Sequence, residues 1–201
     1  MSREIRPAVV MILLMTILTG LAYPLAMTGL AQALFPRQAN GSLIEKDGKV
    51  IGAALIGQNF TAPGYFHGRP SATVDTDPKD ATKTVPAPYN AANSAGSNAG
   101  PTTKSLIERV REDVEKLKAE NPAMPVPIDL VTTSASGLDP DISVAAALFQ
   151  VPRVARERRL DEGALLQLVQ VHTEGRLFGL IGEPRVNVLR LNMALDGLKA
   201  R

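Results

Sequence analysis

Residues 8–35 contain no Asp, Glu, Lys or Arg. As an α-helix this run would be about 42 Å long, more than the ~30 Å hydrocarbon core of a bilayer. Such a helix can span the bilayer with a tilt, or with a kink near Pro24, where the proline ring removes a backbone donor. The run therefore predicts a single, uncleaved membrane-spanning helix.

Two other interpretations of this run are open. Ala31-Gln32-Ala33 resembles the small-x-small site at which signal peptides are cleaved, but the apolar region of a signal peptide is only about 7–15 residues long. A buried helix of a soluble core would be unusual at this length with apolar residues on every face. The membrane span is the favoured interpretation.

Charges near the span give only a weak indication of its orientation. Arg3 and Arg6 precede it, and basic residues also follow it, at Arg37, Lys46 and Lys49. Long domains cross the membrane largely regardless of their charge, so the short tail has more weight. We therefore expect residues 1–7 to be a cytoplasmic tail, 8–35 the transmembrane helix, and 36–201 an extracytoplasmic domain.

The composition of the remainder excludes several functions. Residues 36–201 are enough for one domain with its own core. The formal net charge of the whole chain is only +2, which gives no electrostatic basis for binding nucleic acid. The chain has no Cys, so disulfides and thiolate metal sites are excluded.

Local patterns predict a mixed α+β domain. Ser42–Ile56 is expected to form a hairpin around Asp47-Gly48, with the apolar run Val50–Ile56 as a buried strand. Residues 58–102 show no periodicity and form a long loop region, whose aromatic residues argue against simple disorder. Val126–Val131 is expected to be another strand.

Several helices are expected in the second half of the chain. Apolar residues recur at helical spacing after Pro101 and predict a helix that ends at Asn121-Pro122. Asp139 is expected to be an N-cap, with Pro140 as the first helical residue of a helix that runs to Arg159. Further helices are expected from near Asp161 and over Val188–Lys199, with a loop or short strand over Gly175–Pro184 between them.

Catalytic patterns are weak. The only histidines are His67 and His172, and the chain has neither a G-x-S-x-G nor an H-E-x-x-H motif. Ser134 or Ser136 could in principle form a triad with His172 and Asp139. His172 follows an apolar helical run, which favours a helix-end residue that binds terminal carbonyls.

Two loops resemble ion-binding patterns only in part. The stretch Asp75–Asp80 opens like a calcium loop but has no central Gly and has Pro86 at the twelfth position, so an Asp- and Pro-rich turn is favoured. Gly96–Gly100 lacks the phosphate-binding consensus, although its backbone amides could form an anion-binding nest.

Four blocks of residues resemble one family in order and spacing. They are FTAPGYFHGRPSA at 60–72, NAGP at 98–101, SGLDPDIS at 136–143 with QVPRVA at 150–155, and GEPRVNVL at 182–189 with LNMALD at 191–196. Together with the N-terminal span, this pattern is similar to the C subunit of the Kdp potassium-transporting P-type ATPase. Asp141 stands where this family is expected to have His, and Ala95 and Ala99 make the Asn/Gly loop less rich in glycine than expected.

The resemblance implies a non-catalytic accessory subunit of a high-affinity, ATP-driven potassium uptake complex. The implied partners are a channel-like potassium-translocating subunit, a catalytic P-type subunit and a small lipid-facing subunit. ATP and potassium are used by that complex, and no cofactor is expected with confidence on this chain. The resemblance also implies an extracytoplasmic domain that stabilises assembly and acts as a catalytic chaperone, raising the ATP affinity of the catalytic subunit.

The loop region is the expected docking surface for the potassium-translocating subunit. Aromatic and Arg side chains often dominate interface energies, while Asn and Gly allow close approach of a partner. The partner-facing candidates are Tyr65, Phe66, His67, Arg69, Tyr89 and Asn98. The alternatives are that Tyr65 and Phe66 fill the domain's own core while Arg69 braces the loop, or that the chain is a membrane-tethered envelope hydrolase using His67 or His172.

The span makes a direct prediction about fractionation. We expect the protein to resist alkaline extraction, to be released from membranes by detergent, and to be digested by protease added from the extracytoplasmic side. Immunoblotting of spheroplasts and of membrane fractions measures both properties. Release of a soluble mature form that begins near Leu34 would contradict the prediction.

Overall fold

The computed structural model describes residues 2–198 and shows a mixed α+β chain. The chain divides into two compact units, Met1–Ile51 and Gly52–Arg201. The two units are described separately below.

The first unit is dominated by one long apolar helix. It consists of α1 (Ser2–Met15), a π-helical segment (Thr16–Ala22) and α2 (Tyr23–Leu34). The stretch Arg3–Leu34 has a mean hydropathy of 2.2 over its most apolar window, none of which is buried in the structure. This helix is long and apolar enough to cross a membrane.

The π-helical segment lies directly before Pro24. The Tyr23 amide donates to the Leu18 carbonyl, five residues earlier, rather than to the residue four before it. In a regular α-helix the proline ring would clash with the carbonyl four residues before it, and a widened turn relieves such a clash. The interruption expected at Pro24 is therefore present, in the form of a π-turn.

A short helix and a hairpin follow. They are α3 (Pro36–Ala39), β1 (Leu43–Lys46) and β2 (Lys49–Ala53). Asp47 and Gly48, which connect the two strands, have φ of 52° and 73°. Two consecutive positive φ values are typical of a type I′ turn, so the predicted Asp-Gly hairpin is confirmed.

The second unit has four helices of at least nine residues, a 3₁₀ turn and five strands among the described residues. In chain order they are β3 (Val74–Asp77), β4 (Asp80–Pro86), α4 (Lys104–Glu120), the 3₁₀ turn (Ile128–Leu130), β5 (Asp141–Ser143), α5 (Val144–Arg158), α6 (Glu162–Val171), β6 (Thr173–Glu174), β7 (Arg185–Asn187) and α7 (Val188–Asp196).

Helix α5 lies at the centre of this unit. It packs against α6, and α6 packs against α7. Ser143 is the N-cap of α5, its hydroxyl accepting a bond from the Ala146 amide, and Asp161 caps α6 in the same way through the Ala164 amide. The largest fully buried apolar side chains of the core are Phe66, Phe149, Ile142, Leu165, Leu191 and Leu195.

A small antiparallel sheet supports one end of α5. Its strand order is β5-β7-β6, with Ile142 opposite Val186 and Thr173 also opposite Val186 on the other side. Both Ile142 and Val186 are buried, so this sheet contributes one apolar row to the core. Because β7 leads directly into α7 and β5 into α5, the sheet fixes where both helices begin.

The predicted loop region 58–102 contains regular structure. β3 and β4 form an antiparallel hairpin within it, with Val74 opposite Pro86 and the turn at Asp77–Asp80. Most of these strand residues are polar and none is buried, so the alternation that identifies a half-buried strand is missing. The remaining part of 58–102 is irregular. The turn expected over Asp75–Asp80 is confined to Pro78 and Lys79, because the Asp residues on either side belong to the two strands.

Two further predictions about segments are wrong. Val126–Val131 holds a 3₁₀ turn rather than a strand, since Pro127 has no N–H to contribute to a sheet and its carbonyl accepts the Leu130 amide instead. The buried strand expected over Val50–Ile56 ends at Ala53, and Leu55 is 73% exposed.

The predicted start of α5 is also wrong. Asp139 is not the N-cap of this helix: residues 141–143 first form β5, and the helix begins after Ser143. The Pro140 carbonyl accepts the Val188 amide, which holds this segment beside α7 in an extended conformation. The last helix ends at Asp196, and Lys199 lies outside the described residues.

Buried amide side chains tie irregular segments to the helices. Asn192 of α7 accepts a bond from the Phe66 amide and donates one to the Phe66 carbonyl, both at 2.9 Å. Gln150 of α5 does the same for His67, at 2.7 and 3.1 Å. These pairs satisfy backbone groups that no strand or helix satisfies, as buried polar groups require.

We predict that Asn192→Ala destabilises the protein by about 2–4 kcal/mol, because it leaves a buried donor and a buried acceptor unpaired. The measurement is unfolding of the full-length chain in detergent, followed by circular dichroism. Asn93→Ala is the matched control, since Asn93 makes an exposed bond to the Val74 carbonyl. Equal effects of the two substitutions would contradict the structural role of Asn192.

Candidate functional site

The segment 60–72 winds across the helices without regular structure of its own. Its course is fixed at Phe66, whose side chain is fully buried in the core, and at the backbone of His67, held by Gln150. A loop anchored by a large apolar side chain and by paired backbone bonds is rigid. The side chains on either side of Phe66 are therefore presented in fixed positions.

Arg153 of α5 is the main polar support of this loop. Its side chain is only 7% exposed, and Nε donates to Glu120 Oε1 at 2.8 Å. Nη1 donates to the carbonyls of Tyr65 (2.9 Å) and Pro63, and Nη2 donates to Gln150 at 2.7 Å. A buried guanidinium with this many acceptors is compensated for its loss of hydration.

Tyr65 is held at the edge of the loop by a second arginine. The Arg158 guanidinium lies 4.3 Å from the centre of the Tyr65 ring, and it donates to the Gly64 carbonyl at 2.7 Å. Asp196 binds both residues, at 2.8 Å from Arg158 and 3.2 Å from the Tyr65 hydroxyl. Tyr65 thus packs partly against its own domain and leaves part of its surface to solvent.

Arg69 braces the loop against the segment that precedes β5. Nη1 forms an ion pair with Asp139 at 3.0 Å, and Nη2 donates to the Thr133 carbonyl at 3.3 Å. One quarter of the Arg69 side chain is exposed. Both Arg69 and Asp139 thus already have partners within this unit.

Tyr89 closes the loop from the other side. Its hydroxyl donates to the Arg69 carbonyl at 2.7 Å, and its amide donates to Ser71 Oγ at 3.0 Å. A Cβ at Gly68 would come within 2.3 Å of the Tyr89 hydroxyl, so only glycine allows this approach. Burial, aided by the Asp139 charge, raises the pKa of Tyr89 to about 12.

A cavity of about 340 Å³ lies between the loop and the helices. His67, Arg69, Tyr89 and Arg153 contribute to its wall. Burial lowers the pKa of His67, whose Nε2 lies 3.0 Å from the Ala62 carbonyl, and thereby favours the neutral ring. Among the described residues no Ser, Thr or Lys side chain is hydrogen-bonded to this ring, so His67 does not form a nucleophile–base pair here.

A second cavity of about 470 Å³ lies on the other side of Arg69. Asp129, Asp139 and Asp141 reach its wall, but each has a partner: Asp129 accepts from Ser143, and Asp141 pairs with Arg185 at 2.9 Å. Burial raises the pKa of Asp141. Among residues 2–198 no group of three or more His, Asp or Glu side chains is arranged to hold a metal ion.

The Asn/Gly-rich loop packs against the segment around Gly137. The Ala95 amide donates to the Ser136 carbonyl at 3.0 Å, and a Cβ at Gly96 would come within 2.7 Å of the Ala135 carbonyl. This contact uses part of the backbone that an anion-binding nest would need. Asn98, with φ of 48°, is exposed on the outer side of the loop.

The candidate triad is not assembled. His172 ends α6, and its Nδ1 lies 2.9 Å from the Leu168 carbonyl, which confirms the predicted helix-end role. Ser134 Oγ accepts the Gly137 amide, Ser136 Oγ accepts the Leu138 amide, and Asp139 binds Arg69. Each group therefore has a different partner, and the geometry gives no support to a hydrolase.

The structure gathers four of the six partner-facing candidates around the 340 Å³ cavity or beside it, at Tyr65, His67, Arg69 and Tyr89. Phe66 lies in the core rather than at the surface, and Asn98 lies on the separate Asn/Gly loop. Sequence reasoning gave no role to Gln150, Arg153 or Asn192, although all three lie within the blocks 150–155 and 191–196 that carry the family resemblance.

Tyr89 gives a prediction about alkaline stability. Because its pKa is raised in the folded state, the Tyr89 hydroxyl ionises at a lower pH in the unfolded chain than in the folded chain. Its contribution to the free energy of unfolding is therefore complete below pH 10 and is lost between pH 10 and 12. Tyr89→Phe loses one hydrogen bond, worth about 1 kcal/mol, at pH 8. In unfolding experiments on the full-length chain in detergent, the stability advantage of the unmodified protein should shrink above pH 10 and reverse before pH 12, because ionisation of the unfolded chain over this range outweighs one hydrogen bond. An advantage that stays constant would contradict the assignment.

Known proteins match this chain along almost its whole length. The family model described as "KdpC: K+-transporting ATPase, c chain" matches residues 5–197. Proteins named potassium-transporting ATPase KdpC subunit are similar to this chain in three bacteria. Identity is 71% with that of Rhodopseudomonas palustris (strain BisB18), 69% with that of Bradyrhizobium diazoefficiens and 64% with that of Methylobacterium nodulans.

These matches cover almost the whole sequence. They cover 99% of this chain in the first case and 100% in the other two, and 100% of each relative. The blocks at 60–72, 98–101, 136–155 and 182–196 all lie inside the span of the family model. The chain therefore belongs to the KdpC family, the c chains of K⁺-transporting ATPases.

Proposed function

We propose that this chain is a single-pass subunit that stabilises the assembled Kdp complex from the extracytoplasmic side. As a KdpC chain it is an accessory subunit of a potassium uptake complex, with other Kdp subunits as its partners. The proposal adds the orientation, with residues 1–7 in the cytoplasm, and the partners. These are the channel-like potassium-translocating subunit, the catalytic P-type subunit and the small lipid-facing subunit.

The observation that carries the proposal is that the candidate catalytic groups among the described residues bind different partners and do not meet. His67 and His172 bind backbone carbonyls, and Asp139 pairs with Arg69. The loop is thereby a rigid support, which suits a binding surface because little conformational freedom is lost on docking. A hydrolase would need a nucleophile within reach of one of these imidazoles.

The proposed partner-facing side chains are those candidates that are at least partly exposed. Asn98 is the most open to solvent, while Tyr65, His67, Arg69 and Tyr89 are half-buried. Phe66 contributes only indirectly, by anchoring the loop in the core. This division assigns partner contact to the partly exposed side chains and support of the loop to Phe66.

We further propose that the effect on ATP affinity is indirect. The catalytic subunit binds and hydrolyses ATP in the cytoplasm, whereas the folded unit of this chain is proposed to lie outside. In support, the Ala95 amide of the Asn/Gly loop, the nearest approach to a phosphate-binding loop, is bonded to the Ser136 carbonyl. Holding the subunits together then raises ATP affinity through the catalytic subunit's own conformation.

Assembly is tested with an affinity tag on the full-length chain. Detergent-solubilised membranes should yield the other Kdp subunits with it, and membranes that lack this chain should show a several-fold higher KM for ATP in potassium-stimulated hydrolysis. Recovery of the chain without any other subunit would refute the proposal.

The contact surface is tested with Asn98→Ala. We expect it to weaken retention of the other subunits about tenfold, equivalent to ~1.4 kcal/mol, with no change in the unfolding midpoint. Lys104→Ala is the matched control, since its side chain is also exposed and lies nearby in the chain, with only a surface ion pair to Glu108. Equal retention of subunits by both variants would remove Asn98 from the interface.

A further inference from the structure

The loop between β6 and β7 carries four large apolar side chains into solvent. Leu177 is 58% exposed, Phe178 86%, Leu180 81% and Ile181 64%. Residues 176–183 are called the apolar hairpin below. Monomeric proteins rarely expose contiguous apolar groups of this kind unless they meet a partner or a membrane.

The apolar hairpin is held in one conformation. Leu177 and Ile181 exchange backbone hydrogen bonds at 2.8 and 3.0 Å, and the Leu180 amide also donates to Leu177. Phe178 has φ of 54°, which is rare for an aromatic residue, and Gly179 follows with 74°. Below the tip, Arg176 binds both carboxylate oxygens of Glu183, at 2.7 and 2.9 Å.

A mainly apolar groove of about 490 Å³ opens at the base of the hairpin. Its apolar wall comes from α5 and α6, and two uncharged polar residues and the two ends of the loop complete the lining. The lining residues are Val144, Leu148, Leu166, Val169, Gln170, Thr173, Gly175 and Pro184. The hairpin and the groove therefore form one continuous surface with a projection and a depression. Such a shape is typical of a protein–protein contact with a well-packed centre.

The charges around the hairpin are already paired. Besides the Arg176–Glu183 pair, Arg185 binds Asp141 and Glu174, and Arg190 binds Glu174, at 2.9–3.0 Å. Arginines that are neutralised in this way attract anionic headgroups only weakly. The surface is therefore complementary to an uncharged apolar partner rather than to an acidic one.

We propose that the apolar hairpin and the groove dock onto an uncharged, apolar extramembrane surface of a membrane-embedded subunit of the potassium-transporting complex. The inference rests on the proposed assembly function, and it assigns the main apolar contact to residues 176–183 in addition to the rim of the 60–72 loop. A fixed turn that holds Phe178 at positive φ matches a protein surface of fixed shape, whereas fluid lipid requires no such preorganisation. Because the chain belongs to a family of transporter subunits, another subunit of that complex is the proposed partner.

The first experiment identifies what the tip contacts. Benzoylphenylalanine is incorporated in place of Phe178 in the full-length chain within the complex, native membranes are irradiated, and the adducts are identified by mass spectrometry. The expected adduct joins this chain to another subunit of the transporter. Adducts only with a second copy of the chain, only with lipid, or with no molecule at all would overturn the proposal.

The second experiment measures the contribution of the tip to assembly. The double variant Phe178→Ser, Leu180→Ser should retain at least tenfold less of the other subunits than the unmodified chain, with an unchanged unfolding midpoint in detergent. Leu55→Ser is the matched control, because Leu55 is 73% exposed but lies outside the hairpin and the groove. It should retain the subunits fully.

The two proposals fail in different ways. If the unmodified chain recovers no other subunit, the assembly function itself is refuted. If the unmodified chain and the double variant recover the subunits equally, assembly holds and only the docking surface is refuted.

Discussion

The guanidinium of Arg153 is the contact on which the second unit most depends. It links the end of α4, through Glu120, to α5 and to two carbonyls of the 60–72 loop. These acceptors lie 33 to 90 positions from Arg153 in the chain. Since removing one partner of a buried ion pair typically costs about 3–5 kcal/mol, this side chain contributes strongly to fixing a loop that has no regular structure of its own.

The remainder of the loop is held by the same kind of contact. The side-chain amides of Gln150 and Asn192 bind its backbone as a neighbouring strand would. Each accepts a bond from one backbone N–H and donates one to a backbone carbonyl. Arg69 and Tyr89 then close the outer edge. A chain that needs a fixed surface without a large sheet can obtain it from buried polar side chains, provided that each is fully paired.

The periodic elements were predictable from sequence, and the long-range polar contacts were not. The helix after Pro101 and the helix that starts near Asp161 follow from local spacing of apolar residues. The β3–β4 hairpin was missed because both of its faces are exposed, which removes the alternation that reveals a strand. Arg153 gave no local signal, since its role depends on acceptors that only the folded chain brings together.

The site shows the same difference between features that depend on local sequence and features that depend on tertiary contacts. The motif blocks gave the family, because they depend only on residue identity and order. Burial of Phe66 and the engagement of Arg69 by Asp139 are properties of tertiary packing. The exposed tip at Phe178 was likewise hidden, since an apolar residue in a sequence gives no sign of whether it faces the core or solvent.

The π-turn before Pro24 divides the long N-terminal helix into two segments with different angular phase. Each extra residue in a helical turn rotates everything beyond it by roughly 100° relative to an uninterrupted α-helix. The side chains of α1 and those of α2 therefore project along separate stripes. A helix with such a change of phase has no single continuous stripe along its length, so its two halves can meet different neighbours.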